Sequence, residues 1–204
     1  MAKLVEAMTD FEQPGLQPDR DIPASQQPID PRRGLLPDLR SWVRDIIISL
    51  AIAAVVIVFL YQPVKVEGNS MLPELTDQER IFINKFVYRF EPIERGDVVV
   101  FWYPLDPAKS YIKRVVGLPG ETVQLVDGDV YVNGRKLDEP YVPPEYRDPH
   151  SLGPIHIPTG EFFVLGDHRS SSNDSRVWGT VERRLIYGKA VFVYWPMDQL
   201  GILR

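Results

Sequence analysis

"TVQLVDGDVYVNG", residues 122–134, decides the fold class. Its two runs rich in β-branched and aromatic residues, 122–126 and 129–132, are closed by Asp127-Gly128 and Asn133-Gly134. These dipeptides suit the tight turns of antiparallel hairpins, whose central positions need a left-handed backbone. The same signal recurs outward in "DVVVFWY" (97–103), "YIKRVV" (111–116), "EFFVL" (161–165) and "KAVFVYW" (189–195), with Arg95-Gly96-Asp97 and Pro119-Gly120 as punctuation. The expectation is a mainly β protein, with an antiparallel β-sheet domain over 63–204. Within it, "EPYVPPEYRDPHSLGPIHIP" (139–158) carries six prolines and reads as a long excursion from the sheet.

Upstream, "IIISLAIAAVVIVFLY" (46–61) runs sixteen residues without a charge, between Arg44-Asp45 and Gln62-Pro63. As a helix it covers about 24 Å, and its flanks extend it toward the ~30 Å hydrocarbon core of a bilayer. Trp42 and Tyr61 stand at its ends, where interfacial aromatic anchors belong. A buried core helix of this kind would have to be wrapped on every side by a small domain. A cleaved secretory signal would begin nearer the N-terminus, and the following "QPVKVEGNS" offers no A-x-A-like site. An uncleaved N-terminal transmembrane helix over 38–62 is expected, with the lipid bilayer as its partner. Arg32, Arg33, Arg40 and Arg44 precede it, against Lys65 and Arg80 after it. That asymmetry puts the N-terminus in the cytoplasm and the β domain on the outer face, be it periplasmic, lumenal or extracellular. Residues 1–37, with prolines at 14, 18, 23, 28, 31 and 37 and no sustained apolar period, read as a disordered cytoplasmic tail.

The net charge of −5 argues against a nucleic-acid partner, which clustered basic residues would announce. Cysteine is absent, which excludes thiolate nucleophiles, disulfides and cysteine-ligated metals. The three histidines, His150, His156 and His168, show no i, i+4 pair, so neither a metal site nor a cofactor is expected.

Three stretches could carry chemistry. "EGNSMLPEL" (67–75) sets Ser70 just past the apolar run, with permissive Gly68 before it and Pro73 stiffening the exit. Most serines in such a setting only make turns, and the motif is not a hydrolase elbow. "SYIKRVVGLPGE" (110–121) places Lys113 on a strand that alternates Tyr111, Lys113 and Val115 against Ile112, Arg114 and Val116. Such a lysine can simply snorkel to water. Buried beside a serine, it would lose affinity for its proton and could accept the serine's instead, with no histidine required. "GDHRSSSNDSRVWG" (166–179) is too polar for a strand, and serves either as a solvated loop or as a shell holding a buried amine and a serine.

In order, the apolar run, "GNSMLPEL", "RGDVVVF", "KRVVGLPGE" and "GDHRSSSNDSRVWG" resemble the type I signal peptidases over roughly residues 40–195. These are membrane-bound bacterial leader peptidases that use a Ser-Lys dyad. The resemblance implies that Ser70 is the nucleophile and Lys113 the general base. It implies that Ser172 orients the lysine amine, that Asp174 and Arg176 form a supporting ion pair, and that Asp167 is structural. The Ser70 N–H would serve the oxyanion. Two small apolar pockets for an extended substrate would be lined by Val64, Val66, Met71, Leu75, Tyr111 and Ile112, which accounts for cleavage of signal-bearing precursors after A-x-A-like sites. Gly68 falls on a substrate-side position where some relatives carry a second oxyanion-binding serine, and His168 replaces the usual asparagine. The enzyme is expected to act as a monomer.

Two rival readings differ in class. A self-cleaving repressor of the related Ser-Lys type predicts a soluble chain with an N-terminal helix-turn-helix, against the proline-rich N-terminus here. An inactive membrane-anchored scaffold predicts a damaged dyad, whereas both positions are filled.

Overall fold

Helix α1 (Leu35–Leu60) leads into a chain of short strands. The structure, a computed structural model, describes residues 35–203, the side chains of 35–38 and 57–60 excepted. In order follow β1 (Tyr61–Lys65), β2 (Arg80–Asn84), the single turn α2 (Val87–Phe90), β3 (Val98–Tyr103), β4 (Asp106–Gly117), β5 (Thr122–Val126) and β6 (Asp129–Val132). Then come β7 (Arg135–Lys136), β8 (Leu152–His156), β9 (Glu161–Leu165), α3 (Ser175–Trp178), β10 (Val181–Glu182), β11 (Ile186–Trp195) and β12 (Gly201–Ile202). The chain divides into the units 1–46 and 47–204. Of the first, the described residues are the opening turns of α1, and the expected tail over 1–37 falls almost wholly outside them.

Every strand pair described is antiparallel. The larger sheet runs β1-β2-β11-β3-β4-β9-β10 with β12 beside β11, and the smaller runs β7-β6-β5-β8. The two turn dipeptides behave as their chemistry demands. Asp127 and Gly128 take φ of 48° and 84°, Asn133 and Gly134 take 51° and 77°, and each pair reverses the chain within the smaller sheet.

Period-two alternation sorts the core. On β3, Val98 and Val100 join Met71, Leu75, Ile81 and Ile83 on one face, while Val99 and Phe101 join Val115 and Val164 on the other. A strand buried on both faces therefore reads as a continuous apolar run. A third cluster sets Val116, Phe163 and Leu165 of the larger sheet against Val123, Leu125, Val130 and Val132 of the smaller. Burying each such side chain stabilises the fold by roughly 1.5–3 kcal/mol.

Two expectations need correction. The 139–158 excursion contains a strand, because β8 pairs with β5 through Thr122↔His156 and Val123↔Ile155. Pro154 is tolerated there since β8 is the edge of its sheet, where a missing N–H breaks no ladder. The helix begins at Leu35 and ends at Leu60, so that Tyr61 and Gln62 already belong to β1 rather than to a helix ending at 62. Strands β1 and β2 were not foreseen. Along α1 the side chains of Leu39, Trp42, Ile46, Ile47, Ile48, Leu50, Ile52 and Val55 are exposed. Among the described residues no helix is long and apolar enough to cross a membrane.

Candidate active site

The serine loop is tied off at its base. Val66 N–H donates to the Glu79 carbonyl at 2.7 Å, and Gln78 N–H returns a bond to the Val66 carbonyl at 2.9 Å. Inside this loop Met71 and Leu75 plunge into the core and are linked by Leu75 N–H to the Met71 carbonyl at 2.9 Å. Gly68 takes a φ of 93° and donates its N–H to Asp77 Oδ1 at 2.8 Å. That left-handed backbone is strained for any residue with a Cβ, which gives a physical reason for glycine at this position. Anchored on both sides, Ser70 is presented half-buried at the mouth of a cleft.

Lys113 arrives from β4, opposite Val99 of β3, and is only 4% exposed. Its Nζ lies 2.7 Å from Ser70 Oγ and donates to the Ile112 carbonyl at 3.0 Å. Burial pulls the amine down from the ordinary 10.5 to about 8, as water can no longer solvate the ammonium. The carboxylates of Asp174 and Asp167 oppose this shift and Arg176 assists it.

The 166–176 loop packs behind the pair. Asp167, fully buried, accepts from Arg114 Nε at 2.9 Å and Nη2 at 2.7 Å, and Arg114 Nη1 donates to the Gly96 carbonyl at 2.9 Å. Asp174 caps α3 by accepting from Arg176 N–H, accepts the Gly166 N–H at 3.1 Å, and pairs with Arg176 Nε and Nη2 at 2.8 Å each. Arg176 Nη1 reaches Asp148 Oδ2 at 2.7 Å. A Cβ at Gly166 would collide with the Ser172 hydroxyl and the Ser70 carbonyl, so glycine is what lets this loop touch Ser70. The Ser172 hydroxyl is buried and makes no hydrogen bond among the described residues, Lys113 included.

A cleft of about 380 Å³ opens over the pair, lined by Val64, Val66, Gly68, Met71, Tyr111 and Ile112 as well as Ser70 and Lys113. Leu75 departs from expectation: it is wholly buried in the core beside Met71 and does not line the cleft. The cleft adds Val100, Ser110, Ser171 and Asn173, which the residue pattern had not singled out. Also missed were Arg114 as the partner of Asp167, and the buried Glu139–Arg169 pair, at 3.0 and 2.5 Å, that ties the proline-rich excursion to the 166–176 loop. An Arg beside Lys113 on a strand was the one available signal for the former. Among the described residues no group of three or more His, Asp or Glu side chains could hold a metal ion.

A serine hydroxyl 2.7 Å from a buried amine can be activated by that amine, with no histidine required. The family description "Signal peptidase, peptidase S26" matches residues 39–195, and the chain belongs to that family. It is 39% identical over 175 residues to a signal peptidase I of Leptolyngbya laminosa, covering 81% of this chain and 84% of that one. To a signal peptidase I of Bacillus licheniformis it is 37% identical over 174 residues, covering 79% and 91%. A solved signal peptidase I from Enterococcus faecalis V583 superposes with a TM-score of 0.44 at 30% identity, over 48% of this chain and 97% of that one. The protein is a serine endopeptidase of the signal peptidase I class.

Proposed function

We propose that this chain removes N-terminal signal peptides from exported precursors, with Ser70 as nucleophile and Lys113 as general base. The 2.7 Å approach of Lys113 Nζ to Ser70 Oγ is the observation that carries the reading. A neutral amine at that distance accepts the Ser70 proton as Oγ attacks the scissile carbonyl carbon. The Ser70 N–H stabilises the resulting oxyanion. Lys113, now charged, returns the proton to the departing amine of the mature protein, leaving an acyl ester on Ser70. Water then gives a proton to Lys113, attacks the ester carbonyl and releases the signal peptide, restoring the Ser70 hydroxyl. The lysine's fall to about 8 supports this cycle, because a useful fraction of amine is then free at neutral pH.

Ser172 is the candidate to orient the Lys113 amine: its hydroxyl is buried beside Gly166 with its bonding capacity unspent. The Asp174–Arg176 pair holds that loop. Val64, Val66, Val100, Met71 and Ile112 form the apolar wall that would receive small side chains of an extended substrate strand, in keeping with A-x-A-like sites. Membrane attachment through α1 fits the same reading. The described apolar side chains of α1, among them Ile46, Ile47, Leu50 and Ile52, are exposed, as side chains that meet lipid would be. The arginine asymmetry then faces the catalytic domain away from the cytoplasm.

Incubating the detergent-solubilised protein with a signal-bearing precursor and sequencing the new N-terminus tests the reading. Cleavage immediately after an A-x-A-like site supports it; an intact precursor, or cutting elsewhere, contradicts it.

A further inference from the structure

His168 touches the backbone on both sides of the Ser70 Cα, through its main-chain N–H to the Ser70 carbonyl at 3.1 Å and through Nδ1, 3.2 Å from the Asn69 carbonyl. A carbonyl only accepts, so Nδ1 carries the proton in this contact. The Asn69 carbonyl and the Ser70 N–H belong to one peptide unit, which resonance keeps planar and which is trans, so that the two groups point in opposite directions. Whatever fixes that carbonyl fixes the Ser70 N–H. A donor on the carbonyl also polarises the peptide and strengthens its N–H as a donor. Leu72 N–H approaches the same carbonyl at 3.3 Å, so the imidazole is the nearer of two donors. The ring is itself held against Tyr146 of the proline-rich excursion, centroids 4.4 Å apart.

We propose that His168 is a positioning residue that aims the Ser70 N–H at the developing oxyanion. This rests on the reading of Ser70 as nucleophile. It also accounts for the arrangement around Gly68, which has no side chain to offer the oxyanion: the site leans on a backbone donor, and His168 holds that donor in place.

The full-length protein in detergent, assayed on a peptide spanning a signal cleavage site, tests it. Misaiming a donor by a fraction of an ångström to an ångström lowers kcat by about 10- to 100-fold. His168→Phe, which keeps a ring against Tyr146 but removes the donor, should therefore lose kcat by that factor with KM within about twofold. His168→Asn, whose amide N–H can reach the Asn69 carbonyl, should recover most of it. Affinity for a peptide aldehyde, which forms an oxyanion on Ser70, should fall in His168→Phe in step with kcat/KM, while affinity for an uncleavable peptide stays unchanged. Wild-type kcat in His168→Phe, or equal loss in the Phe and Asn variants, would overturn the assignment. Ser70→Ala is assayed alongside: persistent cleavage by that variant would overturn the underlying reading, and the assignment with it.

Discussion

Lys113 Nζ and Ser70 Oγ stand 2.7 Å apart although 43 residues separate them in the chain, one on a central strand and the other on a loop pinned by Met71 and Leu75. Core packing sets the lysine end, and core packing of Met71 and Leu75 together with the Gly68 turn sets the serine end. The catalytic behaviour should accordingly follow the lysine's protonation and the integrity of the loops around it.

The charged amine cannot accept the Ser70 proton, so kcat/KM should rise with pH through an apparent pKa near 8 and then level off. A pH–rate profile on a signal-spanning peptide measures this. A rate that is flat from pH 6 to 10 would contradict a lysine base.

The same shift has a consequence for stability. Lys113 gives up its proton at about 8 in the folded chain but near 10.5 when unfolded, so between those values the unfolded state binds more protons and stability rises with pH. Below pH 8 the buried ammonium costs on the order of 3 kcal/mol, and above 10.5 that cost is gone. Lys113→Met should thus melt several degrees above wild type at pH 6, with the gain shrinking as pH rises from 8 to 10.5. Calorimetry at several pH values would reveal it.

How much of this was legible follows from the residues themselves. Strands β5, β6 and β9 match the sequence reading because each is a clean β-branched or aromatic run ended by turn residues. Strand β8, "LGPIH", hid behind its Gly and Pro, and β1, "YQPVK", was masked by the apolar run it continues. Ser70 and Lys113 stood out only as members of an ordered set of motifs, since a serine in a turn and a lysine on a strand are each ordinary. The Arg114–Asp167 and Arg169–Glu139 pairs join positions 53 and 30 residues apart; an Arg beside Lys113 hinted at the first, and no local pattern names the partner of either.

Gly166→Ala should cripple the enzyme without touching a reacting group. The added methyl meets the Ser172 hydroxyl and the Ser70 carbonyl, so the loop or Ser70 must move. A fall in kcat of about 100-fold, with overpacking destabilising the domain by about 1–3 kcal/mol, is expected. Steady-state kinetics with urea unfolding check both, and an unchanged kcat would show that the loop yields freely.

Arg114 and Asp167 are both essentially inaccessible to water. Asp167→Ala removes the carboxylate that offsets the charge of a buried guanidinium and should cost roughly 3–5 kcal/mol, whereas Arg114→Met combined with Asp167→Leu should cost markedly less. Chemical denaturation of the single and double variants separates these outcomes; equal losses would mean that the pair is not the stabilising unit.

The most direct test of the dyad is the initial rate of precursor processing at pH 8 by Ser70→Ala and Lys113→Met, each verified as folded. A loss on the order of 10⁴-fold or more in both is the predicted result. Processing by either variant within about tenfold of wild type would contradict the dyad.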